Sequence, residues 1–181
     1  MRTWTFGGNL LVSLVVALFF VTPAQLVAGG SEDAAKLEKQ LMNAAPMAVV
    51  KNATLLTFGK DGKPMVVRKG TNNYTCFAPP SGDICADQAT MAFFKAWQMK
   101  QDPTPGQVGF SYMLNGDNGA SMTDPHAKGK TADNHWAVGG PHVMIVGASL
   151  DEYPKGGTAD PTQPYVMWAG TPWAHLMVPT K

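Results

Sequence analysis

Tyr165-Val166-Met167-Trp168-Ala169-Gly170-Thr171-Pro172-Trp173-Ala174-His175-Leu176-Met177-Val178 has the pattern of a closing strand pair. Two short runs of branched and aromatic residues stand on either side of a Gly-Thr-Pro turn, as paired strands do. The chain therefore ends in sheet. Working back, His142 to Val146 and Val108 to Leu114 have the same strand composition. Each is bounded by glycine-containing turns, among them Asn115-Gly116-Asp117-Asn118-Gly119. Ser121 to Asn134 is polar and without a period, and reads as a long loop of the kind that often carries function. A Pro/Gly-rich connection runs from Asp151 to Pro164.

The upstream half adds helices. Ser31 opens one, Glu32 and Asp33 suit its positive end, and Ala34, Leu37, Leu41 and Ala45 follow at helical spacing until Pro46. Met47 to Phe58 is rich in β-branched and apolar residues. With the turn Gly59 to Gly62, Pro64 to Lys69 and Tyr74 to Phe77, it reads as an antiparallel meander. A second helix runs from about Asp87 to Lys100, with Phe93 and Trp97 one turn apart, and Pro103 and Pro105 end it. Strands dominate and the helices do not alternate with them. The expected fold is a single α+β domain over residues 30–181, a mostly antiparallel sheet with two helices packed on it. A β-sandwich with peripheral helices is the alternative.

Residues 1–29 have the layout of a secretory signal peptide: Arg2, the apolar run Leu10 to Val21, then Pro23 and small residues up to Gly30. The run is about 12 residues, against the roughly 20 a membrane-spanning helix needs. No cysteine lies there, which excludes a lipoprotein anchor. The expectation is a periplasmic or secreted protein with no membrane association once the signal is cleaved. Removal of Arg2 leaves thirteen basic against thirteen acidic residues. A neutral chain has no bulk electrostatic attraction for nucleic acid, which is not expected as a partner.

Cys76 and Cys85 are the two cysteines. In an exported chain an isolated pair reads as a disulfide, stabilising by about 2–3 kcal/mol in the chain-entropy model. Their spacing fits neither C-x-x-C redox chemistry nor the usual zinc pattern.

The distinctive chemistry lies near the C-terminus. His142-Val143-Met144 and His175-Leu176-Met177 are two His-x-Met motifs. On a strand, residues two apart share a face, so each motif presents an imidazole and a thioether to one side. If the two strands were neighbours, His142, Met144, His175 and Met177 would form a soft ligand set suited to copper as Cu(I). Met167 is a fifth candidate. The ordinary alternative is core packing, since methionine fills irregular gaps in many proteins. Asp124, His126, Asp133 and His135 flank the polar loop as a harder set of unfamiliar spacing. Trp136, Tyr165, Met167, Trp168 and Trp173 could wall a small-molecule pocket. No nucleophile elbow, phosphate loop or metalloprotease helix is present, so catalysis rests only on Ser111 or Ser121 meeting a histidine in space.

Val67 to Asn72 with Tyr74-Thr75-Cys76, Ser111 to Leu114, Thr123-Asp124-Pro125, Gly140-Pro141-His142-Val143-Met144-Ile145-Val146 and Pro164 to Pro179 together resemble a family of uncharacterised exported bacterial proteins. The likeness covers the chain from about Val66 onward and implies export, with no established activity to carry over. The His-x-Met pairs are also similar, locally, to those of periplasmic copper-accessory proteins. Those proteins carry a further upstream Met and His at set spacings that do not align here. The expected function is therefore that of an exported non-catalytic domain that binds a small molecule or an envelope partner, with copper as the candidate cofactor. A periplasmic hydrolase with a histidine base, and a structural envelope protein without a pocket, stand as alternatives.

Overall fold

The computed structural model describes residues 30–157 and 159–181; the signal peptide expected over residues 1–29 lies outside the described residues. Helix α1 (Gly30–Leu41) carries Glu32 and Asp33 in its first turn and Lys39 in its last, each charge opposing the helix dipole. A second helix, α2 (Met47–Asn52), follows at once. Met47 to Phe58 is thus not one extended run. The backbone N–H groups of Val49 and Val50 donate to the Pro46 carbonyl at 2.8 and 3.2 Å, turning the chain. At the other end the Arg68 guanidinium, paired with Glu38, donates to the carbonyls of Val50 (2.7 Å) and Ala53 (3.2 Å). A cation on those carbonyls stabilises the helix end, and this tertiary contact overrides local β propensity.

Strands β1 (Thr54–Phe58) and β2 (Pro64–Arg68) form an antiparallel hairpin. The meander stops there. Strand β3 (Tyr74–Phe77) lies on the far side of β1 and runs parallel to it, with Leu55 opposite Cys76. Gly70 makes the crossing feasible. A Cβ there would sit 2.3 Å from backbone atoms of Ala53 and Thr54, so only glycine lets the chain pass beneath the start of β1. The N–H groups of Thr71 and Asn72 then bond the Asn52 carbonyl at 2.8 and 3.1 Å.

Strand β4 (Ile84–Asp87), which the proline-rich loop concealed in the sequence, pairs antiparallel with β3 and sets Cys85 directly opposite Cys76. The disulfide is formed. Asp87 then caps α3 (Gln88–Gln98) by accepting from the Thr90 N–H at 2.8 Å. Its second oxygen accepts from the Phe110 N–H at 2.9 Å and anchors β5 (Gly109–Met113). Two-residue strands β6 (Ala120–Ser121) and β7 (Trp136–Ala137) pair across the polar stretch. Strands β8 (His142–Val146), β9 (Tyr165–Met167) and β10 (His175–Pro179) complete the chain.

The result is an α+β fold whose main sheet has eight strands in the order β2-β1-β3-β4-β5-β8-β10-β9. The sheet is mixed, β1–β3 being its parallel pairing, and it carries three helices among the described residues rather than the two expected. One open sheet of eight strands also rules out the β-sandwich. Alternation sorts the side chains onto two faces. Leu55, Cys76 and Cys85 join Leu41, Ala44, Val50 and Ala53 beneath α1 and α2. Phe77 and Ile84 join Met113, Met122, Met144, Tyr165, Met167 and Met177 on the other face, with Met91 and Phe94 of α3 packed against them. No helix among the described residues is long and apolar enough to cross a membrane.

Candidate functional site

The two His-x-Met strands are neighbours. β10 runs antiparallel to β8, with Met177 opposite Met144, His175 opposite Val146 and Pro179 opposite His142. Directly opposed residues share a face, so both motifs turn inward onto the methionine side of the sheet. His142, Met144, His175 and Met177 are all buried, none more than 7% exposed. The thioethers are paired at the centre. The two histidines sit at opposite corners, two residue rows apart along the strands.

Both imidazoles are held by the same local device. Nδ1 of His142 lies 2.7 Å from the Gly140 carbonyl, and Nδ1 of His175 lies 3.0 Å from the Trp173 carbonyl, each acceptor two residues upstream. A carbonyl can only accept, so each Nδ1 is the donor. Nε2 of His142 is buried and has no hydrogen-bond partner. Burial drives the His175 imidazole down to about 4; the Trp173 carbonyl works against that shift, and charge on His142 adds to it. His175 is therefore neutral near pH 7. That form of an imidazole, pinned at one nitrogen and open at the other, is the one that ligates metals.

Around this set the register places Met113, which the sequence does not single out, and Met167 and Tyr165, which it does. Met113 is opposite His142 on β5, and Met167 is opposite His175 on β9. Tyr165 is opposite Met177. The Asp117 carboxylate and Cε1 of His142 both lie within 3.3 Å of the point where a Gly139 Cβ would be, so glycine there lets the acid approach the imidazole. One Asp117 oxygen accepts from the N–H groups of Gly119 (2.7 Å) and Gly139 (2.9 Å). Burial and the nearby Asp117 charge push the Tyr165 phenol up to about 12. Asp117 reads as part of a turn in the sequence. Its approach to His142 has no local signal, because the contact closes across residues 117–142.

The expected aromatic pocket divides into three parts. Tyr165 and Met167 face the methionine core. Trp136 lies over Gly119, apart from the others. Trp168 and Trp173 join Trp97 and His126 in a packed stack: Trp97 to Trp168 is 5.5 Å, Trp97 to His126 is 6.1 Å and His126 to Trp173 is 4.9 Å between ring centres. Trp168 and Phe93 also meet the edge or face of His175, at 4.8 and 5.8 Å. Each stacked indole N–H donates to a carbonyl: Trp97 to Pro125 (3.0 Å), Trp168 to Ser121 (2.9 Å) and Trp173 to Gln101 (3.0 Å). A cleft of about 280 Å³ opens elsewhere, beside Phe93, Pro105, Gln107, Leu150 and Pro172, and none of the five residues lines it.

The harder ligand set does not assemble. Asp124 accepts from the His126 backbone N–H at 2.8 Å, His126 is in the stack, and Asp133 and His135 are exposed. Among the described residues no group of three or more His, Cys, Asp or Glu side chains converges. Nor is a serine–histidine couple in place. Ser111 Oγ and His142 Nε2 are both buried and both unpartnered, so they do not bond each other, and Ser121 Oγ donates to the Asn134 carbonyl at 2.6 Å. Comparison with protein-family models, curated proteins and solved structures finds no match.

Proposed function

We propose that this chain is an exported, non-catalytic domain that binds Cu(I) on the methionine–histidine face of its sheet. One observation carries the proposal. Met144 and Met177 are directly opposed on a buried face, flanked by two imidazoles pinned at Nδ1, and the Nε2 of His142 is buried without a partner. Thioethers and neutral imidazoles together suit a soft monovalent ion. A buried nitrogen without a partner costs about 1–3 kcal/mol, and a bound cation would offset that cost. The formed disulfide supports an oxidising compartment, in keeping with the export expected from residues 1–29.

The test is anaerobic titration of the purified protein with Cu(I), under reducing conditions that keep the ion monovalent and against a chromogenic Cu(I) chelator. The wild type is expected to compete for the ion. His142→Ala with His175→Ala should abolish competition, and so should Met144→Leu with Met177→Leu, which keeps core volume and is checked for folding by circular dichroism. No uptake by the wild type, or unchanged uptake by both double variants, would overturn the proposal.

A further inference from the structure

We infer that this face holds two Cu(I) ions rather than one, His142 with Met113 and Met144 taking the first and His175 with Met167 and Met177 the second. The inference rests on the metal-binding role proposed above and deepens it. Its starting point is the separation of the histidines. His142 and Val146 are four residues apart on β8, and His175 stands opposite Val146, so the two histidine Cα atoms are offset by roughly 13 Å along the strands. Gly140 lies beyond His142 in the direction away from Met144, and Trp173 lies beyond His175 in the direction away from Met177. Each ring is tied through Nδ1 to a carbonyl at its own end of the strand pair. A single ion would need both Nε2 atoms within about 2 Å of it, the bond length usual for imidazole nitrogen on a small metal ion.

What each histidine has instead is a methionine pair of its own. Met113 stands directly across from His142, and Met144 follows on the same strand face. Met167 stands directly across from His175, and Met177 follows on the same face. Opposed residues have Cβ atoms about 4.5–5.5 Å apart, and residues two apart on a strand about 6.5–7 Å along the chain, both within reach of an unbranched thioether. The four methionines are 4–7% exposed and belong to one contact cluster. The two sets are related by an approximate twofold through the Met144–Met177 pair. Each is one nitrogen and two sulfurs.

Their surroundings differ, and that fixes an order of filling. Asp117 reaches the His142 end, where its carboxylate offsets the charge of a buried cation. The His175 end is enclosed by Phe93 and Trp168 and has no carboxylate described beside it. The first ion therefore goes to His142, Met113 and Met144.

Native mass spectrometry of the purified protein titrated with Ag(I), a redox-inert stand-in for Cu(I), tests this. Two ions per chain are expected at saturation. Met113→Leu should leave one, Met167→Leu should leave one, and the two together none; leucine preserves core volume, and circular dichroism checks the fold. Asp117→Asn should retain two ions while weakening the first by about tenfold or more. A ceiling of one ion per chain, lost equally in either single variant, would overturn the two-ion assignment and leave the proposed function standing. No ion bound at any Ag(I) concentration would overturn both.

Discussion

The two faces of the main sheet are buried by different chemistry. Beneath α1 and α2 the core is aliphatic and stapled: Leu41, Val50 and Leu55 are wholly enclosed beside Cys76–Cys85. Beneath α3 and the 120–137 stretch it is built from Met113, Met122, Met144, Met167 and Met177 around two histidines and a tyrosine. Branched aliphatic side chains have few rotamers and specify shape, whereas thioethers adapt to whatever fills the space between them. The polar inventory differs as well. Thr90 Oγ1, Ser111 Oγ and His142 Nε2 are buried without partners, and all three lie on the methionine side. One face is aliphatic and stapled, and the other holds buried polar atoms without partners.

Three measurements test that contrast. The largest effect is expected from Leu55→Ala, which hollows the enclosed aliphatic face and should cost about 2–5 kcal/mol in denaturant unfolding. A loss below about 1 kcal/mol would mean that this face is not the rigid one. Acid should act on the other face through His175. In the unfolded chain His175 takes up a proton below about pH 6.5, but in the fold it resists until about pH 4. Because the unfolded state binds more protons across that window, stability is full above pH 6.5 and falls by about 3 kcal/mol as pH drops toward 4. Urea midpoints at pH 7 and pH 4.5 should converge in His175→Gln, whose amide keeps a donor for the Trp173 carbonyl. An equal acid loss in that variant would assign the effect elsewhere. The smallest change is expected from Met144→Leu or Met177→Leu in the metal-free protein, under about 1.5 kcal/mol each. A cost as large as that of Leu55→Ala would show the methionines to be as shape-specific as the leucines.

Elements with strong local signals are legible in the sequence: α1 and α3, strands β5 and β8, the paired β9 and β10, and the Cys76–Cys85 bridge. What local pattern does not reveal depends on distant partners. α2 is helical because Pro46 and Arg68 hold its two ends, although Val49 and Val50 favour strand. The parallel β1–β3 pairing depends on the passage of Gly70 beneath Ala53. The same division holds at the site. Period-two alternation is enough to put each imidazole beside its own thioether, because that is a property of one strand. Register belongs to two strands, so neither the corner-to-corner offset of the histidines nor the pairing of His142 with Met113 could be read from either motif.

The three indole bonds also make the molecule its own reporter. Trp97 from α3, Trp168 at the end of β9 and Trp173 before β10 each donate to a carbonyl in another segment, so they lash the covering layer together at three points. Indole protons in such bonds exchange slowly with solvent and are well separated in a proton–nitrogen spectrum. Trp168 lies edge to face with His175, so its resonance and emission would register any change at that imidazole, while Trp136, stationed over Gly119, serves as an internal control.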